Sequence, residues 1–151
     1  MNQNFRDILA ALSEEKAEFL IVGAFALAVH GFPRFTGDLD IWIHRTAQNA
    51  KRVWSALEKF RAPLRTLELK DLETEDIVFQ IGAPPQRIDI LTSISGLEFA
   101  AAWPQRQYLE IDRRQIPVVG KADLIKNKKA SGRPKDLLDL AWLESEQEPS
   151  E

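Results

Sequence analysis

The sequence contains no cysteine, which excludes disulfide bonds, thiolate metal sites and thiol catalysis. It has no excess of basic residues, since the formal net charge is −3. The chain as a whole therefore has no positive field that would indicate a nucleic-acid partner. Its apolar runs are far shorter than a membrane span, and the segment MNQNFRDILA does not have the layout of a signal peptide. These absences predict a protein of the reducing cytoplasm with no membrane partner.

The composition that remains is that of an ordinary globular domain. The chain has 151 residues, which is long enough to form a hydrophobic core. Hydrophobic residues make up 44% of it and charged residues 28%, as in ordinary globular proteins. No internal repeat and no long linker divides the sequence. We therefore expect one domain over residues 1–145 and an acidic, disordered tail over residues 146–151.

Hydrophobic periodicity and chain-breaking residues predict a chain of mixed helices and strands. Helices are expected over residues 4–17, 24–30, 47–60, 95–103, 121–129 and 134–144. Strands are expected over residues 19–22, 38–43, 76–81 and 87–92, with a hairpin formed by residues 107–111 and 115–119 that turns at residues 112–114. Residues 65–75 are polar and favour no regular element.

Two aspartates stand one residue apart inside the apolar segment GDLDIWI. Because side chains at i and i+2 of a strand point to the same face, Asp38 and Asp40 are expected side by side. Burying such charge alone is strongly unfavourable, so a cationic partner is expected. The same spacing occurs at Asp71 and Glu73, in a polar stretch where solvent exposure explains it. An edge strand whose acids face water is the alternative for Asp38 and Asp40.

A third acid interrupts another apolar run, RIDILT. If residues 38–43 and 87–92 form neighbouring strands of one sheet, Asp89 completes a three-carboxylate metal site with Asp38 and Asp40. Hard oxygen ligands of this kind suit Mg²⁺ or Mn²⁺. On spacing and apolar context alone, the metal site and the solvated edge strand remain equal alternatives.

Gly23 and Ala24 lie where an apolar run gives way to a short stretch of small residues. Small residues let backbone N–H groups approach an anion, and a helix N-terminus favours phosphate. Taken alone, Gly23 is better explained as a plain strand-to-helix turn. Combined with Asp38 and Asp40, however, it supplies what phosphoryl-group chemistry needs, namely positioning and charge neutralisation.

These residues together resemble the signature of the polymerase β-like nucleotidyltransferase superfamily, in which a glycine and a second small residue precede an Asp-x-Asp motif and a third Asp lies on a later strand. The segments VGAFALAVHGFPRFTGDLDIWI and LIKNKKASGRPKDLLDL are similar to those of small bacterial nucleotidyltransferases that include the abortive-infection (type IV) toxins of toxin–antitoxin systems. The resemblance covers the chain between residues 19 and 143.

The resemblance implies an α/β (α+β) fold, with a mixed β-sheet flanked by helices and the sites at one end of the sheet. It implies Mg²⁺ bound by Asp38 and Asp40, with Asp89 as a further ligand that helps to activate an acceptor hydroxyl. It also implies an NTP whose triphosphate lies near Gly23 and Ala24. The family has Gly or Ser at the second small position. Since Ala24 has no hydroxyl to donate to a phosphate, we expect weaker nucleotide binding rather than none.

The resemblance implies further contacts to the nucleotide. Arg34 and Thr36 occupy an Arg-x-Thr position on the loop before the acids, although a surface arginine and a turn threonine explain them equally well. Lys128 and Arg133 lie in the segment KNKKASGRPK and match basic positions that face the nucleotide or acceptor in the family. A solvated helix face is the alternative for this basic segment. Asp136 is fully explained by a place in the first turn of a helix.

The expected function is Mg²⁺-dependent transfer of a nucleotidyl group from an NTP to a hydroxyl of RNA, especially tRNA, or of a protein. The enzyme would be a bacterial toxin with a cognate antitoxin. The main alternative is a binding module that keeps the fold without activity, or an antitoxin-like partner protein. A metal-dependent nuclease or phosphohydrolase is a weaker alternative, because such sites often hold extra His or Glu ligands and His30 and His44 lack metal-ligand spacing.

Overall fold

The computed structural model describes residues 1–31, 37–83 and 85–147. Six helices are found in these ranges: α1 (Gln3–Glu14), α2 (Gly23–Val29), α3 (Ala47–Phe60), α4 (Phe99–Ala102), α5 (Lys121–Ser131) and α6 (Pro134–Gln147). The strands are β1 (Phe19–Val22), β2 (Leu39–Ile43), β3 (Val78–Ala83), β4 (Gln86–Leu91), β5 (Gln107–Ile111) and β6 (Arg114–Val118). Short 3₁₀ helices span Leu69–Glu73 and Trp103–Gln105.

The strands form one mixed sheet in the order β3-β4-β2-β1-β6-β5. β1 pairs with β2 in antiparallel and with β6 in parallel orientation, while β2 and β4 run parallel. β1 is buried along its whole length, as its uninterrupted apolar sequence FLIV predicts for a strand inside a sheet. The mixed sheet with helices packed on it confirms the predicted α/β (α+β) class.

The helices form two groups around the sheet. α1 packs on α3 and on β6, and its buried face consists of the apolar residues that recur at helical spacing. α2 packs against β1 and β2 and meets α5, which in turn packs on α6. None of the helices in the described ranges is both long and apolar enough to cross a membrane.

Most predicted elements are confirmed to within a few residues, but the helix predicted over residues 95–103 is wrong in extent. Only Phe99–Ala102 is α-helical, and the preceding residues form a turn closed by a bridge between Ile94 and Leu97. Gly96 has φ = +78°, a left-handed conformation that a right-handed helix cannot include. The conformation at Gly96 therefore delays the start of the helix.

The ends of several strands and helices differ from the predicted ends by a few residues. β3 and β4 extend further into the predicted GAPPQ loop, to Ala83 and from Gln86. The β5–β6 turn consists of Asp112 and Arg113, which both have positive φ, as a two-residue hairpin turn with the right twist requires. α6 continues to Gln147, two residues into the predicted tail, and residues 148–151 lie outside the described ranges.

Candidate functional site

The pairing of β2 with β4 brings two of the predicted aspartates together. Asp40 and Asp89 are register partners on these parallel strands, and Asp38 immediately precedes β2. β2 and β4 are not consecutive along the chain, so the sequence could not show that these two strands pair. The structure shows that they do. The side chain of Asp38 is 39% exposed, whereas that of Asp89 is only 10% exposed.

Gly23 lies against the carboxylate of Asp40, on the side of β2 that pairs with β1. The antiparallel register places Val22 opposite Asp40, and α2 begins at the next residue. Gly23 has φ = +70°, and a Cβ added there would overlap the Oδ2 atom of Asp40. A glycine is therefore required at residue 23 for two independent reasons, the left-handed backbone and the approach of the carboxylate.

Asp40 occupies an electrostatically unfavourable position for an anion. Burial raises the pKa of its carboxyl group to about 6, with further contributions from the neighbouring Asp89 and Asp38. The interaction with Asp89 includes a hydrogen bond between the two carboxyl groups. Carboxylates that crowd together in this way favour either a shared proton or a bound cation.

Arg87 places a positive charge beside two of these acids, Asp89 and Asp38. Its Nε lies 2.8 Å from Oδ1 of Asp89 and its Nη2 lies 3.1 Å from Oδ2, so the guanidinium binds this carboxylate at both oxygens. Nη2 also lies 3.6 Å from Oδ2 of Asp38, and the backbone N–H of Arg87 donates to Oδ1 of Asp38. Arg87 therefore connects two of the predicted ligands.

Sequence reasoning missed Arg87, although a signal for it was available. It lies two residues before Asp89 in the strand segment RIDI, so both side chains project from the same face of β4. The alternation that selected Asp38 and Asp40 as a pair therefore applies to Arg87 and Asp89 as well.

The carboxylates of Asp38, Asp40 and Asp89 are chemically suited to a divalent cation. The side chains are oxygen donors only, which suits Mg²⁺ or Mn²⁺ rather than a softer metal. The crowding that raises the pKa of Asp40 would be relieved by a cation. Within the described ranges, however, no group of three or more His, Cys, Asp or Glu side chains is arranged to hold a metal ion. The three carboxylates fit such an ion chemically, but Asp89, and to a smaller extent Asp38, could bind it only after Arg87 moves away.

Lys128, predicted to contact a nucleotide, is buried between α5 and α6. Only 5% of its side chain is exposed, and its Nζ lies 3.0 Å from Asp136 Oδ1 and 3.3 Å from Asp139 Oδ2. Both carboxylates are fully buried. This contact pattern gives Lys128 a structural role in joining the two helices, and its contact with a nucleotide stays a prediction.

Arg133 differs from Lys128 because 69% of its side chain is exposed. It donates to both oxygens of Asp136, at 2.6 and 3.2 Å, and the pKa of Arg133 is raised first by this hydrogen bond and also by the charge of Asp40. Arg133 is therefore the predicted basic residue whose charge reaches the carboxylate site. Asp136 lies in the first turn of α6, as expected, but it also anchors both cations.

The remaining candidates add little to the site. Arg34 and Thr36 lie outside the described residues, so their predicted contacts stay predictions. The Nε2 atom of His30 lies 2.9 Å from the carbonyl oxygen of Val119, while Nδ1 of His44 lies 3.2 Å from Glu18. Ala24 lies in the first turn of α2 beside Gly23.

Comparisons with known proteins identify the fold. No family model matches the chain, and no curated protein matches it. A crystal structure of a Thermotoga maritima protein proposed to be a nucleotidyltransferase is similar to this chain, with a TM-score of 0.60 and 19% sequence identity. The match covers 95% of this chain and 91% of that chain. It confirms that the chain has a nucleotidyltransferase fold.

Proposed function

We propose that this protein is a nucleotidyltransferase that moves a nucleotidyl group from an NTP to a hydroxyl acceptor. The observation that carries the proposal is the adjacency of Asp40 and Asp89 on parallel strands, beside Asp38 and the Gly23 turn, in a nucleotidyltransferase fold. Acidic side chains next to a small-residue turn provide the two requirements of phosphoryl-group chemistry, which are neutralised charge and a place for phosphate.

In this proposal Asp38, Asp40 and Asp89 would hold Mg²⁺ or Mn²⁺ once Arg87 has moved away from Asp38 and Asp89. Such an ion, when bound, neutralises the triphosphate and the developing charge of the pyrophosphate leaving group. The acceptor oxygen attacks the α-phosphorus, the bond to pyrophosphate breaks, and the hydroxyl proton passes to a carboxylate. Asp89 is the proposed residue for this proton. Arg87 holds both oxygens of Asp89, so it controls when that carboxylate is available.

The nucleotide contacts in this proposal come from several parts of the chain. Backbone N–H groups of Gly23 and Ala24 would meet the triphosphate, and Arg34, Thr36, Lys128 and Arg133 would add polar and cationic groups. Arg133 has the best structural support, because its side chain is exposed and interacts with the charge of Asp40. Ala24 supplies a backbone donor but no hydroxyl, so we expect weak nucleotide binding.

The acceptor and the cellular role rest on the sequence resemblance rather than on the site. They comprise RNA, especially tRNA, or a protein as acceptor, and a role as a bacterial, cytoplasmic toxin with a cognate antitoxin. The resemblance is carried by the two segments that contain Gly23, Asp38 and Lys128. Growth arrest on expression, dependent on Asp38 and Asp40, would be the corresponding cellular result.

A second candidate function is a binding module that keeps the fold without catalysis, or an antitoxin-like partner protein. Two observations favour it. Arg87 already neutralises Asp89 and contacts Asp38, and Ala24 lacks the hydroxyl found in the resembling family. In this case the site would bind a nucleotide or a partner protein without transferring anything.

Label transfer tests the proposed enzyme. The protein would be incubated with Mg²⁺, each α-labelled NTP in turn, and total cellular RNA plus protein. We expect label on a macromolecule with the native protein and none with Asp38→Ala/Asp40→Ala. A matched control, Glu58→Ala/Glu73→Ala, removes the same charge from two exposed residues outside the site and should transfer label normally.

The same samples distinguish the two candidates. Ligands that bind only the folded state raise its melting temperature. Nucleotide-dependent stabilisation without label transfer would support the binding module. Neither stabilisation nor transfer, from protein whose melting curve shows that it is folded, would refute the enzyme.

A further inference from the structure

β5 forms one edge of the sheet, and it is exposed along its length. It pairs with β6 on one side, and the described residues add no further strand on the other side. Three of its five residues are exposed and two are half-buried. Its sequence, QYLEI, has no proline and no lysine, the residues with which proteins commonly prevent pairing at a sheet edge. β5 is therefore able to accept another strand.

The register of the β5–β6 hairpin identifies the backbone groups that face outwards. A two-residue turn closes on a pair that exchanges hydrogen bonds, here Ile111 with Arg114, and such pairs alternate with non-bonded pairs along the ladder. The N–H group of Val119 donates to β1 at 3.0 Å, as this alternation requires. The N–H and C=O groups of Tyr108 and Glu110 consequently point away from β6.

Two opposite charges on one face of this edge have no ion-pair partner among the described residues. Nε of Arg106 donates to the hydroxyl of Tyr108 at 2.6 Å, and Nη1 donates to the carbonyl oxygen of Trp103 at 2.8 Å. The guanidinium carbon also lies 4.0 Å from the centre of the Trp103 ring. All these partners are neutral, so Arg106 is fixed in place without a carboxylate. Glu110, two residues beyond Tyr108 on the same face, is exposed.

This edge is complementary to a second copy of itself. When two β5 strands pair antiparallel about a twofold axis at Leu109, Tyr108 of each copy lies opposite Glu110 of the other. These two pairs exchange backbone hydrogen bonds through the groups that face outwards. Arg106 of each copy is then the diagonal neighbour of Glu110 of the other, about 7–8 Å away and within reach of long side chains. The pairing therefore satisfies the free backbone groups and brings the two unpaired charges together.

We propose that the protein forms a homodimer in which β5 pairs antiparallel with β5 of a second copy, centred on Leu109. The sheets of the two copies then form one continuous sheet. A contact made by one short strand belongs to the class of small, weak interfaces, so the dimer is reversible and depends on concentration. β1 and β6 separate β5 from β2 and β4. The dimer therefore does not depend on the proposed nucleotidyl transfer.

Cysteine cross-linking tests the register directly, because the native chain has no cysteine. Leu109→Cys places the thiols of two copies at a pair without backbone hydrogen bonds, where the Cα atoms lie about 4.5 Å apart and a disulfide fits. Gln107→Cys is the matched control on the same strand, since it lies about 13 Å from its copy in this register. Under mild oxidation we expect Leu109→Cys to form the linked dimer at least about tenfold faster.

An exchange of charges tests the side-chain contacts. Glu110→Lys and Arg106→Glu each replace two attractions across the interface by two repulsions, since each contact occurs twice in a symmetric dimer. Each variant should weaken dimerisation about tenfold in sedimentation velocity over a series of protein concentrations. The double variant restores opposite charges and should recover most of the native affinity. Glu73→Lys reverses the charge of an exposed residue outside β5 and should change dimerisation little.

Equal cross-linking of the two cysteine variants, or native protein that stays monomeric at every concentration, would overturn the proposal and leave this edge to a strand of another protein. A double charge variant that dimerises no better than either single variant would also overturn it. If Arg106→Glu does not fold, because Arg106 also packs on Trp103, the two cysteine variants still decide. Asp38→Ala/Asp40→Ala should dimerise like the native protein, so failure of the dimer and failure of nucleotidyl transfer are recognised separately.

Discussion

The backbone of Gly23 lies directly against the carboxylate of Asp40, so closely that a Cβ at residue 23 would overlap Oδ2. This contact joins the two halves of the motif, because Gly23 is the first residue of α2, directly after β1, and Asp40 lies on β2. The position of Asp40 therefore requires a glycine at residue 23, whether or not a ligand is bound. A phosphate near this turn would meet the backbone N–H groups on one side and the carboxylate site on the other.

Gly23→Ala should destabilise the fold and disturb the site together. The positive φ and the overlap with Asp40 should lower the free energy of unfolding by about 2–4 kcal/mol. The measurement is urea unfolding, with Gly132→Ala as the control. Gly132 has φ = +61° but no close neighbour, so only the backbone cost of about 1 kcal/mol is expected there. Equal losses in the two variants would show that the contact with Asp40 is unimportant.

Asp40→Asn should stabilise the metal-free protein at neutral and higher pH. The pKa of Asp40 is raised to about 6 by burial and by Asp89 and Asp38, so folding favours its protonated form. The carboxyl group is protonated in the folded protein near pH 4, and stability falls as pH rises through about 6 because the buried anion then costs free energy. Asparagine avoids this cost, so the variant should gain about 1–3 kcal/mol at pH 8 and little at pH 4.

Melting curves in EDTA at both pH values measure this difference. Asp112→Asn is a control of opposite sign, because the pKa of Asp112 is lowered by its hydrogen bond to Arg6. That variant should lose stability at pH 8 and lose less near pH 3. A pH-independent effect of Asp40→Asn would argue against a strained carboxylate.

Arg87→Gln should make the protein dependent on divalent cations. The side chain binds both oxygens of Asp89 and contacts Asp38, so its removal leaves the acids without their internal cation. We expect a loss of about 1 kcal/mol in EDTA. If the acids bind metal, Mg²⁺ should raise the melting temperature of this variant more than that of the native protein. Arg114→Gln, which removes an ion pair to Glu14 elsewhere, should show no such gain.

Identical Mg²⁺ responses in the Arg87 variant and the native protein would contradict competition between Arg87 and a metal ion. The melting curves should be recorded at one ionic strength, because screening by added salt also weakens repulsion between the acids. A monovalent salt control at the same ionic strength separates specific binding from screening.

Lys128→Met should destabilise the fold strongly. Lys128 is buried with Asp136 and Asp139, and its loss would remove a positive charge from between two buried carboxylates, of which Asp136 keeps Arg133, at a cost of about 3–5 kcal/mol. Lys129→Met is the adjacent control, since 59% of that side chain is exposed in its pair with Glu144. It should change stability by about 0.5 kcal/mol or less. Equal stability of the two variants would mean that Lys128 serves a ligand rather than the fold.

The type of most helices and strands follows from the sequence alone, because apolar periodicity and chain-breaking residues act over a few residues. It also identified Asp38, Asp40 and Asp89 as unusual, since an acid in an apolar run needs an explanation from its surroundings. The turn at Asp112 and the strand at residues 19–22 follow from local preferences. The helix predicted from residue 95 failed because the left-handed conformation of Gly96 is set by the packing of that turn on α5.

Which of these groups lie together depends on tertiary structure. The register of β2 with β4 places Asp40 opposite Asp89, and the antiparallel register of β1 with β2 places Gly23 against Asp40. Neither register is encoded by neighbouring residues, because each depends on strands that are distant in the chain. The same holds for Lys128, whose place in a basic segment suggests a solvated face, yet α6 brings two carboxylates onto it and buries it.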